Sequence, residues 1–232
     1  MKKFVRRFLD YLKIHSIVTK IRLYIPTVIQ RKKLKKYGEK SLIILNEIFE
    51  KNDSFFWLEF GTLLGAYRDK AFISHDFDID LGVLAENRIE NLNEILSSLG
   101  FTKSREIIIP EIGITEETYL YYGLHIDLFY FYKVEDDLIC YSALMDKDLP
   151  FDEPEKDKIQ CTLGLLMQSF SFKYSGFERS FLYNTMYYFP TNADLHLREC
   201  YGSYRVKVKN WSDSKCPNRK ATEFRGIHTF FR

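Results

Sequence analysis

The chain has 232 residues, and its 34 Lys and Arg against 32 Asp and Glu give a formal net charge of +2. Hydrophobic residues make up 46% of the chain and charged residues 28%, a globular composition that excludes a wholly disordered protein. No apolar run approaches the ~20 residues of a transmembrane helix, and we recognise no secretion signal. The four cysteines form no Cys-x-x-Cys pair, which predicts reduced thiols in a cytosolic protein rather than a zinc ribbon or redox motif.

Charge is distributed unevenly along the chain. Residues 1–37 contain twelve Lys and Arg and one acidic residue, Asp10, which gives this segment a charge of +11. Residues 38–232 contain 22 basic and 31 acidic residues, which gives the rest a charge of −9. We therefore divide the chain into a basic N-terminal arm, residues 1–37, and an acidic domain, residues 38–232.

The arm has the pattern of a basic amphipathic helix. Apolar residues recur before Pro26 at mostly helical spacing, with Lys and Arg between them: Phe4, Phe8, Leu12, Val18, Ile21 and Leu23. This pattern favours contact of residues 1–36 with an anionic membrane surface. Packing of the apolar stripe on the domain is the alternative, and nucleic-acid binding is disfavoured because the stretch is helical. We expect a cytoplasmic protein, peripheral at the inner face of the membrane.

The domain is predicted to contain both strands and helices. In chain order, hydrophobic periodicity and turn residues predict a helix over 37–51, a strand over 55–60, a short helix over 63–67, a strand over 77–83, a helix over 89–99, strands and turns over 107–145, a mostly helical stretch over 160–187, and a helix from Thr191 to Tyr201. This order indicates an α+β fold with a small sheet.

Three aspartates, Asp76, Asp78 and Asp80, alternate with apolar residues along the strand over 77–83. Alternate side chains of a strand share a face, so the three carboxylates are expected to lie together. Such a cluster is strongly repulsive unless a cation neutralises it, and its oxygen ligands suit Mg²⁺ or Mn²⁺. An exposed acidic turn is the alternative, although polar rather than apolar flanking residues would be typical of one.

Gly61 and Thr62 stand at a predicted strand-to-helix turn shortly before these aspartates. A glycine there lets backbone N–H groups approach an anion, and Thr62 can cap the helix and offer its hydroxyl to a phosphate oxygen. Asp127, between Ile126 and Leu128, is a candidate third carboxylate, because a lone buried Asp must bind a metal or be paired. Arg68 or another base is the alternative partner of Asp127.

These motifs together resemble the LicD family, which includes phosphocholine transferases and fukutin-type ribitol-phosphate transferases. The resemblance rests on Gly61-Thr62-Leu63-Leu64-Gly65-Ala66-Tyr67-Arg68, on Asp76-x-Asp78-x-Asp80, on Ile126-Asp127-Leu128-Phe129, and on Tyr201-Gly202 with Trp211 and Pro217 beyond. It covers roughly residues 40–217. His75 departs from the pattern, because the family typically has Trp before the first aspartate.

The resemblance implies a nucleotidyltransferase-like fold, a small mixed sheet flanked by helices, here with a basic N-terminal helical arm. It also implies a Mg²⁺-dependent transferase that takes a phospho-alcohol from a CDP-alcohol donor and releases CMP. The acceptor would be a hydroxyl of a cell-surface glycan or a lipid-linked glycan, and the alcohol ribitol, glycerol or choline. Asp78, Asp80 and Asp127 would hold the metal, with Asp127 also acting as general base.

Substrate binding is expected from Gly61, Thr62, Arg68, Lys70 and Asp76. Arg68 and Lys70 would contact donor phosphates, although an ion pair of Arg68 with a nearby aspartate is an equal alternative. A second row of basic residues would lie on one face of a possible strand. This pattern is more typical of a solvated edge than of a phosphate-binding surface: Arg205, Lys207 and Lys209. The alternative functions are transfer of a nucleoside monophosphate from a nucleoside triphosphate, and nucleotide binding without catalysis.

Overall fold

A computed structural model describes residues 28–144, 160–208, 211 and 215–231, so most of the predicted arm lies outside the described residues. The elements are, in chain order, α1 (28–51), β1 (Trp57–Leu58), α2 (Phe60–Arg68), β2 (Asp78–Leu84), a 3₁₀ turn (Ala85–Asn87), α3 (Leu92–Ser98), β3 (Phe101–Ile109), β4 (Gly113–Tyr121), β5 (Leu124–Val134), β6 (Asp137–Ala143), β7 (Gln160–Lys173), β8 (Phe177–Leu182), β9 (Thr185–Pro190), α4 (Ala193–Tyr201) and β10 (Arg219–Phe230).

The described strands form one mixed sheet of ten strands, flanked by helices. Its order is β4-β3-β10-β7-β6-β5-β2-β1-β9-β8, and β4 also pairs with β5, so six of the described strands close into a ring. β2 runs parallel to β5 and β1 runs parallel to β9, whereas the other pairs are antiparallel. The mixed α and β architecture is confirmed, but the prediction of a small sheet is wrong.

The predicted helical stretch over 160–187 accounts for this error. The structure forms β7, β8 and the first half of β9 from it, and β7 pairs with both β6 and β10. Phe170 and Phe172 are buried and alternate with Ser169 and Ser171, which is the two-residue period of a strand. The leucines before these residues have no clear period, so this alternation is the feature that indicates the strand.

The helices pack against the sheet and contribute residues to the main core. Leu42, Leu45 and Phe49 of α1 pack in one cluster with residues of α2, β2, α3 and β5. The predicted helix over 37–51 is confirmed and extends back to residue 28 within the described chain, so the proposed boundary at residue 37 falls inside α1. None of the described helices combines the length and apolar character needed to cross a membrane.

Several element ends differ from the predictions. The predicted strand over 55–60 is reduced to two residues, and Phe60 begins α2. α4 begins after Asn192 rather than Thr191, because the Asn192 side chain accepts a hydrogen bond from the backbone N–H of Leu195. α3 and α4 are followed by Gly100 and Gly202, both with positive φ, as expected for C-terminal glycines.

Candidate functional site

The parallel pair β2 and β5 brings the predicted carboxylates together. Asp80 lies directly opposite Asp127, and Asp78 lies opposite His125, two residues earlier along the pair. Carboxylate oxygens of Asp78, Asp80 and Asp127 all lie within 4.8 Å of one another. The donors are oxygen only, a set that suits Mg²⁺ or Mn²⁺ rather than zinc.

Burial and mutual repulsion change the pKa values of the aspartates at the start of β2. Burial, followed by the charges of Asp76 and Asp127, raises the pKa of Asp78 to about 8. Burial and the neighbouring aspartates raise the pKa of Asp80 well above its usual range, and burial also raises that of Asp76. A divalent cation among the oxygens would relieve both the desolvation and the repulsion. The residues present therefore fit the metal that the sequence predicts.

Gly61 lies in direct contact with the acidic cluster. Its backbone N–H donates to Asp80 Oδ2 at 3.2 Å. A Cβ on Gly61 would lie 2.6 Å from Asp76 Oδ2 and 3.4 Å from Asp80 Oδ2, so only glycine permits this approach. This N–H therefore contacts a carboxylate of the chain itself, and its contact with a substrate phosphate stays a prediction.

The Thr62 side chain hydrogen-bonds to β2 and does not cap α2. Its buried hydroxyl accepts a hydrogen bond from the backbone N–H of Asp80 at 2.9 Å. The prediction that Thr62 caps α2 is wrong, because Glu59 is the N-cap residue and its carboxylate accepts from the N–H of Phe60. Thr62 thus fixes the backbone position of Asp80.

Glu59 connects α2 to α4 beneath the site and was missed by the sequence analysis. This fully buried carboxylate accepts a hydrogen bond from Trp57 Nε1 at 2.5 Å and lies 2.8 Å from His196 Nε2. The His196 ring stacks on Phe172 of β7 with 3.9 Å between centroids. Glu59 therefore connects the start of α2, where Gly61 lies, to Trp57 of β1 and to His196 of α4.

Asp127 has partners on the neighbouring strands. Its Oδ1 accepts hydrogen bonds from the Thr118 hydroxyl and from Arg105 Nη2, the latter at 3.4 Å. Arg105 also pairs with the buried Glu116, whose pKa burial raises to about 7. The alternative that a base pairs with Asp127 is thus realised by Arg105, not Arg68, while Asp127 also belongs to the carboxylate cluster. The polar run Thr115 to Thr118 inside a buried strand was the available sequence signal.

A cavity of about 440 Å³ opens beside the aspartates. Asp76, Asp78 and Asp80 form part of its wall, and His75 lies at the same wall. The opposite lining is largely aromatic: Phe60, Phe129, Phe170, Tyr201 and Trp211. Tyr201 and Trp211, both part of the predicted C-terminal motif, contact each other with 4.5 Å between ring centroids. The cavity has the size of a small-molecule site.

The predicted phosphate-binding cations are placed unequally. Arg68 lines the cavity but pairs with Asp69 at 3.0 Å, so the ion-pair alternative is realised. Lys70 does not line the cavity, and its ammonium lies 5.6 Å from the centroid of the Tyr67 ring.

The basic row near the C-terminus does not form a strand in its described part. Residues 203–208 are turns and irregular chain, and Lys209 lies outside the described residues. Lys207 lines the cavity and pairs with Asp69 at 3.3 Å, whereas Arg205 pairs with Asp194 at 2.9 Å.

Comparison with known proteins identifies the domain that carries this site. Residues 54–159 match the family described as LicD/FKTN/FKRP, nucleotidyltransferase domain. The chain carries a LicD-family domain. This match includes β2 and β5 with all three clustered aspartates, and it indicates a transferase. The Tyr201-Gly202 motif lies outside the matched residues.

Two curated relatives come from Rickettsia. The chain is 34% identical over 128 residues to "Uncharacterized protein RP689" of Rickettsia prowazekii (strain Madrid E), covering 51% of this chain and 44% of that protein. It is 32% identical over 97 residues to "Uncharacterized protein RT0683" of Rickettsia typhi (strain ATCC VR-144 / Wilmington), covering 40% of this chain and 28% of that protein. The chain thus spans less than half the length of either relative.

Proposed function

We propose that the protein is a Mg²⁺-dependent phosphotransferase that moves a phospho-alcohol from a CDP-alcohol donor to a glycan hydroxyl and releases CMP. The alcohol would be a polyol, such as ribitol or glycerol, or choline. One observation carries the proposal: the carboxylates of Asp78, Asp80 and Asp127 converge within 4.8 Å beside a substrate-sized cavity in a LicD-family domain.

Asp78, Asp80 and Asp127 would hold the metal. When bound, Mg²⁺ supplies positive charge that offsets the charge of the donor pyrophosphate and of the departing CMP. The chain positions these ligands through backbone contacts, since the Thr62 hydroxyl and the N–H of Gly61 both hold Asp80. The same carboxylates would repel a phosphate group without the cation, so the metal is expected to be obligatory for donor binding.

Asp127 is the proposed general base. Among the described residues, Thr118 and Arg105 both contact Oδ1, which fixes the orientation of this carboxylate. A positioned carboxylate can accept the proton of the attacking hydroxyl as it reaches phosphorus, a step that is unfavourable for an unassisted alcohol near neutral pH. The contact with Arg105 holds the Asp127 carboxylate in place for this role.

The remaining walls of the cavity supply the aromatic surfaces and the cations that are proposed to bind the donor. The aromatic lining offers flat apolar surfaces for the cytosine ring or the alcohol. Arg68 and Lys207 line the same cavity and share Asp69 as their partner. Because one carboxylate serves two cations, positive charge remains near the position proposed for the phosphates.

The test is CMP release from CDP-ribitol, CDP-glycerol and CDP-choline, with methyl glycosides supplying the acceptor hydroxyl. We expect at least one donor to release CMP with Mg²⁺ and none to do so with EDTA. Asp78→Asn and Asp127→Asn are expected to lower the rate by at least about 10²-fold. The matched control is Asp53→Asn, at an exposed turn outside the site whose positive φ Asn also tolerates.

Two results would contradict the proposal. Pyrophosphate release from a nucleoside triphosphate, without CMP release from any CDP-alcohol, would make the protein a nucleotidyltransferase. Unchanged CMP release in Asp78→Asn or Asp127→Asn would remove these carboxylates from the reaction.

A further inference from the structure

Exposed apolar side chains gather around the mouth of the cavity. Phe77, Val206 and Val208 line the cavity, and their exposed fractions are 45%, 66% and 52%. Trp211, also exposed, completes this group. We call these four residues the apolar rim. Single exposed hydrophobic residues are ordinary on protein surfaces, but several around one opening indicate an interaction surface.

Basic side chains alternate with the rim residues. Arg205 and Lys207 flank Val206, and both side chains are largely exposed. Each pairs with an acidic residue at the surface, Asp194 or Asp69. Exposed pairs of this kind contribute little stability and are readily exchanged for other anions. The rim therefore combines apolar contact area with cations that can reach an anionic surface.

The described start of α1 reaches the same mouth. Arg31 Nε donates to the backbone carbonyl of His75 at 3.1 Å, and His75 lines the cavity. Residues 1–27, which precede this helix, contain seven Lys and Arg and one acidic residue. The described start of α1 therefore lies close to the cavity and places a basic side chain, Arg31, beside it.

We propose that the apolar rim docks on an anionic lipid surface. Val206, Val208, Phe77 and Trp211 enter the boundary between headgroups and acyl chains, and Arg205, which does not line the cavity, contacts lipid phosphates. Apolar side chains interleaved with basic ones are the chemistry by which peripheral proteins hold such surfaces. This charge pattern favours an anionic lipid over an apolar protein surface as the occupant. The cavity would then open toward the lipid surface.

The proposal does not depend on the proposed function, and lipid binding tests it without any measurement of activity. The chain has two tryptophans, and Trp57 is fully buried in the core, so Trp211 is the one at the surface. The full chain is mixed with vesicles of phosphatidylcholine and phosphatidylglycerol in equal parts, carrying brominated acyl chains. We expect the bromine to quench Trp211 emission and expect no quenching in Trp211→Phe.

A variant pair measures what the valines contribute. Val206→Ser with Val208→Ser is expected to weaken vesicle binding, read from the quenching titration, by roughly tenfold. Val134→Ser is the matched control, because Val134 is also exposed (48%) but lies on β5 about 23 Å beyond Asp127, at ~3.3 Å per residue. The control is expected to bind like the wild type.

Three outcomes would overturn the proposal. The first is unquenched Trp211 emission when the protein sediments with the vesicles, which would assign lipid binding to residues 1–27 instead. The second is equal binding by the double valine variant and the wild type. The third is equal quenching on vesicles of phosphatidylcholine alone, which would remove the requirement for anionic lipid.

Discussion

At Gly61, two opposing effects on stability can be compared directly. Replacing a helical glycine by alanine ordinarily stabilises a helix by about 1 kcal/mol. Here the added Cβ would meet Asp76 Oδ2 at 2.6 Å, and forcing atoms into such a space typically costs about 1–3 kcal/mol. The clash therefore outweighs the propensity gain, and it falls on the carboxylates that are proposed to bind the metal and the substrate.

We predict that Gly61→Ala lowers the free energy of unfolding by up to about 2 kcal/mol and weakens Mn²⁺ binding. Chemical denaturation and titration calorimetry measure the two effects. In an Asp76→Ala background the nearest contact is removed, so the same substitution is expected to be neutral or stabilising. An equal cost in both backgrounds would show that the clash with Asp76 is not the cause.

At the scale of elements, β4 illustrates how one strand serves both structure and site. Thr115 and Thr118 are both buried on β4, and each hydroxyl donates a hydrogen bond. The Thr115 hydroxyl bonds to the backbone of β3, at the Ile107 carbonyl, whereas the Thr118 hydroxyl bonds to the Asp127 carboxylate directly opposite. The first contact joins two strands, and the second orients a carboxylate of the candidate site.

We predict that Thr115→Val and Thr118→Val each destabilise the fold by about 1–2 kcal/mol, because each leaves a buried partner without its hydrogen bond. Only Thr118→Val is expected to weaken Mn²⁺ binding, by about tenfold, since it releases the orientation of Asp127. Thermal denaturation and calorimetry distinguish the two effects. Similar Mn²⁺ affinities in the two variants would contradict a positioning role for Thr118.

The same elements show how far the sequence could predict the fold and the site. The alternation of Asp78 and Asp80 is local, so the sequence was sufficient to place these two carboxylates on one face of β2, whereas the expectation for Asp76 was wrong because this residue precedes the strand. The partners of Asp127 depend on strand pairing across long separations: Arg105 and Thr118 reach this carboxylate only because β3, β4 and β5 are neighbours. β7 was missed because its leucine-rich start has no clear period, although Phe170 and Phe172 alternate with serines.

For the whole molecule, the acidic cluster makes stability depend on pH. The pKa of Asp78 is raised to about 8 in the folded chain, from an ordinary value near 4, and burial also raises the pKa of Asp80 well above its usual range. Between these values the folded chain binds more protons than the unfolded chain does. The free energy of unfolding therefore falls as pH rises through this range. The folded chain cannot relieve this repulsion by separating the groups, because the pairing of β2 with β5 holds the three carboxylates close together.

We predict that the metal-free protein melts at a lower temperature at about pH 8 than at about pH 6, and that Mg²⁺ raises the melting temperature more at about pH 8. The cation binds the ionised carboxylates of the folded chain, and at lower pH it must first displace their protons. Differential scanning calorimetry with Mg²⁺, with EDTA, and with NaCl at matched ionic strength measures this. Asp78→Asn is expected to reduce both the pH dependence and the response to Mg²⁺. A response to Mg²⁺ of the same size at both pH values would argue against a metal held by this cluster.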